Sequence, residues 1–220
     1  MAGSENAPLS GRRAQAARND QRILEAARAV FVADPSAPIA AVAEAAGVGI
    51  SALYRRYPSK EELLRKICGD GLLRYVAEVE AALVDGRDAW TVFVAFMFRA
   101  VAADTSSLTA RLAGTFAPTP ELYAAAANAH RLQQRLVERT RAAGAIRPDV
   151  ETDDVSLLLE QIATVMVGDA RRTRELRQRY LTLVLDGFGA RPGTPLPGRP
   201  PRWQEISGRW ATSEVSPTSG

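Results

Sequence analysis

The amino-acid sequence predicts an all-α protein in which a three-helix N-terminal head continues into a larger helical body. Three observations carry that expectation. Apolar residues recur at helical spacing in successive segments divided by proline, glycine and capping residues. No segment shows the period-two alternation of a half-buried strand. Residues 90–103, WTVFVAFMFRAVAA, have only Thr91 and Arg99 as polar positions, the pattern of a helix buried on nearly every side.

Residues 1–17 are polar, contain Gly and Pro, and read as a flexible N-terminal arm. From Arg18 onward Ile23, Ala27, Val30 and Phe31 follow helical spacing. Asp34-Pro35-Ser36 stops this helix, because the residue before a proline is pushed out of the helical region. A short second helix opens at Pro38, runs through Ile39, Val42, Ala43 and Ala46, and ends at Gly47. A third spans Ile50 to Tyr57, and Pro58 ends it. Ser59 with Glu62 is a capping box for a fourth helix, with Leu63, Leu64 and Ile67 inward, reaching about Leu83. Thr119-Pro120-Glu121 supplies cap, first-turn proline and dipole-facing carboxylate for a long helix to about Ala143. Residues 152–168 and 173–189 form two more, divided near Gly168-Asp169. The tail from Arg191 has six prolines and four glycines in 30 residues and is expected to be disordered. The divisions are an arm (1–17), a head (18–65), a body (66–190) and a tail (191–220).

Composition narrows the chemistry. One cysteine (Cys68) and one histidine (His130) leave no disulfide framework and no ordinary zinc site, so no metal site is expected. There is no G-x-S-x-G, P-loop or H-E-x-x-H motif, and Gly47-Val48-Gly49 lacks the third glycine of a dinucleotide fingerprint. A Cys68–His130 nucleophile–base pair is disfavoured, because Cys68 lies at the head end of the fourth helix. No catalytic residues, enzymatic activity or cofactor are expected. No apolar run has transmembrane length and the N-terminus lacks a secretory h-region, so a soluble cytoplasmic protein without a membrane partner is expected. The net charge is +3, and residues 1–75 hold all of it, with 11 Lys+Arg against 8 Asp+Glu. A basic end on a neutral body suits contact with a polyanion.

The second and third helices form a helix-turn-helix. Ala43 lets the third helix approach, and Gly47 permits a positive φ at the corner. With Leu53 and Tyr57 docked inward, Ser51 and Arg55 point directly outward at about 100° per residue, flanked by Ala52 and Tyr54. Small residues, an arginine able to bond guanine edges and a tyrosine hydroxyl suit a major groove.

The segment IAAVAEAAGVGISALYRRYPSKEELL, residues 39–64, resembles the TetR family of bacterial transcriptional regulators. The shared pattern is A-x-x-A-G-V-x-x-x-x-L/I-Y-x-H/Y-F-x-S/N-K-x-x-L. The resemblance implies that Ile50, Ser51, Ala52, Tyr54, Arg55 and Arg56 face DNA, and that Tyr54 and Lys60 hold phosphates. Three positions depart from the family's habit: Pro38 and Ala52 stand where threonine is frequent, and Arg56 where histidine is. Arg12, Arg13 and Arg18 on the arm are candidates for a minor groove, set against a solvated terminus.

The resemblance further implies a homodimer on a palindromic double-stranded DNA operator, with half-sites roughly 34 Å apart. Leu157, Leu158, Ile162 and Val165 on one late helix, and Tyr180, Leu181, Val184, Leu185 and Phe188 on the other, are the interface candidates, set against ordinary core. It also implies an effector pocket for a small apolar molecule in the helical body. Phe93, Phe96 and Met97, with Trp90 and Phe98 beside them, are the candidates on the central helix. Phe116, Tyr123, Asn128, His130, Gln161 and Met166 are candidates to join them. The functional expectation is a repressor released by its effector through the fourth helix as lever. The alternative is a ligand-independent or protein-gated dimeric DNA-binding regulator, which a body without a void of several hundred Å3 would favour. Trp203 and Trp210, seven apart in the tail, are weighed as a short helix docking on a groove against a flexible tail.

Overall fold

Helix-forming periods, caps and stops set the architecture. The structure, a computed structural model, describes residues 7–189 and 194–210. Among the described residues there are ten α-helices, one 3-10 turn and no strand; Ile146 and Gly189 meet in an isolated bridge. The chain divides into two compact units at Ile67/Cys68.

The first unit holds α1 (Ala7–Ala33), α2 (Ile39–Ala46), α3 (Ile50–Arg56) and the first two turns of α4 (Lys60–Val84). Ile23, Ala27 and Phe31 of α1 bury against Val42, Ala43 and Ala46 of α2, with Leu53, Leu63 and Ile67 completing the core. The Asp34 carboxylate accepts from the Ser36 amide and hydroxyl at 2.8 and 2.6 Å, closing the turn after α1. Gly47 sits at φ +61°, in the left-handed region, so the corner favours glycine; a Cβ there would meet only the flexible end of the Arg22 side chain, at 2.8 Å.

The first correction concerns the arm. Residues 7–17, expected to be flexible, are the opening turns of α1. Ala14, Ala16 and Ala17 are strong helix formers. Gln15 donates to Asn19 at 3.0 Å and accepts from Arg18 at 2.7 Å along the exposed face. Residues 1–6 of the expected arm lie outside the described residues.

The second unit is built around α5 (Ala89–Ala102). Asp88 caps it by accepting from the Thr91 amide at 2.9 Å. Val92, Phe93, Phe96, Met97 and Ala100 are buried against α7 (Pro120–Ala142), α8 (Thr152–Ala163) and α9 (Ala170–Phe188). Thr119 caps α7, and Glu151 and Asp154 form a reciprocal capping box on α8. A helix missed in the sequence, α6 (Thr105–Leu112), follows Asp104, whose φ is +53°. Buried Arg177 of α9 donates to the Val165 and Ala163 carbonyls at 3.0 and 2.6 Å and pairs with Asp104. These bonds satisfy the carbonyl of Ala163, the last residue of α8, and that of Val165 just beyond it. Among the described residues no single helix is long and apolar enough to cross a membrane.

The second correction concerns the tail. Residues 194–210, expected to be disordered, pack on the body through α10 (Trp203–Ser207) and a 3-10 turn (Gly208–Trp210). Trp203, Ile206 and Trp210 recur at three- and four-residue spacing and give the segment one apolar side, and Ile206 is buried. The Pro- and Gly-rich flanks outweighed that short pattern in the sequence. Residues 190–193 and 211–220 of the expected tail lie outside the described residues.

Candidate nucleic-acid interface and internal cavity

In α3, Leu53 is fully buried and Tyr57, the C-cap, nearly so; these two side chains seat the helix. Ile50, Ser51, Tyr54 and Arg55 are exposed, and Ala52 is half-buried. Tyr54 at 47 % and Ile50 at 41 % are large side chains left in solvent without an intrachain packing reason. The helix ends because Tyr57, ahead of Pro58, leaves the helical region (φ −130°, ψ 94°).

Arg56, expected to face DNA, is exposed but already engaged within the chain. Its Nε and Nη2 donate to the two carboxylate oxygens of Asp20 at 2.7 and 3.1 Å. The Tyr57 hydroxyl also donates to Asp20, at 2.7 Å. Chiefly through the Arg56 hydrogen bond, and against partial desolvation, the Asp20 carboxyl is held below its ordinary value. Arg56 therefore ties α3 to α1, while Arg55 keeps the outward edge.

Lys60 is similarly engaged. Its Nζ donates to the carbonyls of Pro35 and Ala37, both at 2.8 Å, and lies 5.0 Å from the Phe31 ring centroid. Two of its three N–H groups thus hold the loop between α1 and α2 rather than standing free for a phosphate. Arg13 and Arg18, placed on the arm in the sequence, are exposed positions on α1, as part of a helix rather than an extended minor-groove arm.

In the second unit a cavity of about 170 Å3 opens among α4, α6, α7, α8 and the C-terminal segment. Leu72, Leu108, Leu122, Leu159 and Ile206 supply apolar wall, with Tyr75, Tyr123, Trp203 and Trp210 as aromatic wall. Its polar groups are mostly spoken for. The Gln133 side-chain oxygen accepts from Tyr75 at 2.8 Å and Ser156 at 3.3 Å, and its amide nitrogen donates to the Thr152 carbonyl at 3.2 Å. His130 Nε2 lies 2.8 Å from Asp153 Oδ1, and burial pushes the Asp153 carboxyl up. Thr105 Oγ1 is buried without a hydrogen-bond partner. Cys68, expected at the head end of the fourth helix and away from His130, is the first residue of the second unit and lines this cavity with His130. Burial pushes its thiol up to about 12, which keeps it protonated and a poor nucleophile at neutral pH.

Of the pocket candidates read from the sequence, Tyr123 lines the cavity, as does His130 among those weighed with it. Phe93, Phe96 and Met97 do not: all three are fully buried core, because α5 is covered by helices on every apolar side. Phe116 is buried and meets the Trp210 ring edge-on at 5.5 Å. Gln161 is exposed and lines a separate cleft between α8 and α9. Thr105 and Gln133 were missed, and the docked C-terminal segment is the short helix weighed in the sequence against a flexible tail. The seven-residue spacing of Trp203 and Trp210 was the one available signal.

The interface candidates also divide. Leu181, Leu185 and Phe188 are buried in the chain's own core, with Phe188 6.1 Å from the Phe93 ring. Leu157, Leu158, Val165 and Val184 are half-buried. Leu183 at 59 % and Tyr180 at 43 % form the exposed edge of α9, and Leu157, Leu158 and Val184 line the adjoining cleft.

Residues 23–67 match the family model described as bacterial regulatory proteins of the tetR family. Residues 85–190 match the model of the C-terminal domain of SbtR-like transcriptional regulators. No curated protein sequence gives a significant match. Among solved structures, a TetR transcription regulatory protein from Mycobacterium vanbaalenii is 28 % identical, with a TM-score of 0.50, covering 80 % of this chain and 98 % of its own. A TetR transcriptional regulator from Streptomyces coelicolor is 26 % identical, with a TM-score of 0.52, covering 77 % and 97 %. The regulator LfrR from Mycobacterium smegmatis, solved in complex with proflavine, is 20 % identical, with a TM-score of 0.55, covering 80 % and 99 %. With its helix-turn-helix and helical body each matching a family model, the chain belongs to the TetR family of transcriptional regulators and carries that family's DNA-binding fold.

Proposed function

We propose that the protein is a non-enzymatic, homodimeric repressor that binds a palindromic DNA operator and is released by a small apolar effector. The observation that carries this reading is the outward edge of α3: Ser51, Tyr54 and Arg55 are exposed opposite the buried Leu53. Ser51 lets the backbone approach the groove floor, Arg55 reads a guanine edge, and Tyr54 reaches a phosphate. The apolar edge of α8 and α9 around Leu157, Leu158, Leu183 and Val184 serves as the twofold interface that spaces two such edges. The body cavity receives the effector. Cys68, Leu72 and Tyr75 of α4 line it, while Leu63, Leu64 and Ile67 of the same helix are core of the first unit, so α4 is the proposed route of coupling. The proflavine complex of LfrR supports small-molecule binding by a protein of this fold.

A second reading, a ligand-independent or protein-gated regulator, is favoured by one observation. The cavity of about 170 Å3 is below the roughly 300–1,000 Å3 of ordinary ligand sites. Selection of duplexes from a random pool, with and without apolar small molecules, tests both. The first reading expects a palindrome whose enrichment falls with one of the added compounds. Enrichment indifferent to every compound favours the second, and no duplex enrichment at low salt defeats both.

A further inference from the structure

The cavity is closed on one side by the chain's own C-terminal segment, which is fastened at both ends. At its root, Arg147 donates to the Thr194 carbonyl at 2.7 Å and the Leu196 amide donates to Asp149 at 3.1 Å. At its tip, the two Nη atoms of Arg209 donate to the two Glu160 carboxylate oxygens, both at 2.8 Å, and the Glu160 side chain is only 9 % exposed. Between these points Trp203 stacks on His130 with centroids 4.5 Å apart, and Ile206 is buried. Gly114, at φ +76°, admits the Arg209 carbonyl to 3.3 Å from where a Cβ would stand.

Three features mark the segment as an occupant of the site rather than a permanent wall. It lies beyond residue 190, where the matched C-terminal domain ends. Its Trp203, Ile206 and Trp210 side chains take up space at the cavity, leaving about 170 Å3. That is about the room of a benzene molecule, which an apolar void of about 150 Å3 accommodates. Finally, Thr105 Oγ1 is left buried at the cavity wall without a partner, a cost that a ligand with one hydrogen-bonding group removes.

We infer that Trp203–Trp210 is a removable lid, latched by Arg209 on Glu160, that a neutral apolar ligand larger than one aromatic ring displaces to reach Thr105. The inference rests on the effector-site reading for its consequence at DNA, but lid opening itself is measurable without DNA.

The protein has three tryptophans, Trp90, Trp203 and Trp210, so in a Trp90→Phe variant the emission reports the lid alone. The probe is N-phenyl-1-naphthylamine, which is neutral and apolar. A chain ending at Arg202 is expected to bind it at least tenfold more tightly than the full chain, with Arg209→Ala in between. Saturating probe is expected to shift lid-tryptophan emission of the full chain to the red. Thr105→Leu, which fills the cavity, is expected to abolish the gain in the shortened chain. Equal affinity for full and shortened chains, a gain that survives Thr105→Leu, or emission unmoved at saturation overturns the lid. If the shortened chain loses helicity by circular dichroism, Arg209→Ala and Trp203→Ala carry the test, and unchanged affinity in both overturns it. A lid that opens while duplex binding stays indifferent to the probe leaves the inference standing and removes the effector reading.

Discussion

Replacing Lys60 by methionine separates two roles that a lysine at this position can play. Lys60→Met keeps the aliphatic stem and removes the ammonium that donates at 2.8 Å to each of the Pro35 and Ala37 carbonyls. A hydrogen bond to a charged group contributes about 1.5–3 kcal/mol, and the contact over Phe31 adds about 0.5–1 kcal/mol. Lys60 is half-buried, so water recovers part of that loss, and a net cost of about 2–3 kcal/mol to the first unit is expected. Hydrogen exchange reads it as faster opening of α1 and α2 amides, with amides of the second unit unaffected. The DNA measurement completes the test. A phosphate ligand would lower the slope of log affinity against log salt by about 0.9 for each lysine removed. A residue holding the α1–α2 loop leaves that slope unchanged and weakens binding only through the folded fraction. A slope reduced by that amount, with exchange rates unaltered, would refute the structural assignment.

Other perturbations address the remaining assignments. Arg55→Ala should relax preference at one base pair by about 1–3 kcal/mol while leaving thermal stability unchanged; a uniform loss across all sequences would place Arg55 on a phosphate. Asp20→Asn should flatten the acid limb of stability. The native carboxyl sits below the ordinary 3.8, so its ion pair contributes fully above that value and is lost as pH falls through the lower folded value. Thermal denaturation of both proteins between roughly pH 5 and 2 checks this, and parallel curves would remove Asp20 from the account. Leu183→Glu should convert the proposed dimer to a monomer in sedimentation, since Leu183 is 59 % exposed on α9; a full chain that sediments as a monomer removes the dimer reading, and a variant that still dimerises places the interface elsewhere.

Much of the fold was legible because its determinants are local. Pro58, Gly47, the Thr119 cap and the Asp34-Pro35 stop act within one or two turns, and each ends or begins a helix where its chemistry requires. The outward edge of α3 was equally readable, because anchoring Leu53 and Tyr57 inward fixes where Ser51 and Arg55 point. The short tail helix was weighed from the Trp203–Trp210 spacing but set below a disordered tail, because compositional reasoning averages over 30 residues, whereas Trp203, Ile206 and Trp210 need only eight to form an apolar side.

Helical period, capping chemistry and the motif from Ile39 to Leu64 therefore determined the all-α class, the head and the family, since each works through neighbours along the chain. Tertiary structure alone decided which arginine is free. Arg55 and Arg56 are adjacent and both exposed, but Asp20, thirty-six residues before Arg56, binds only the latter. It also decided that Leu181, Leu185 and Phe188 belong to the core while Tyr180 and Leu183 remain outside. An amphipathic pattern gives the width of an apolar stripe. Which part of that stripe is covered depends on partners that meet only once the chain has folded.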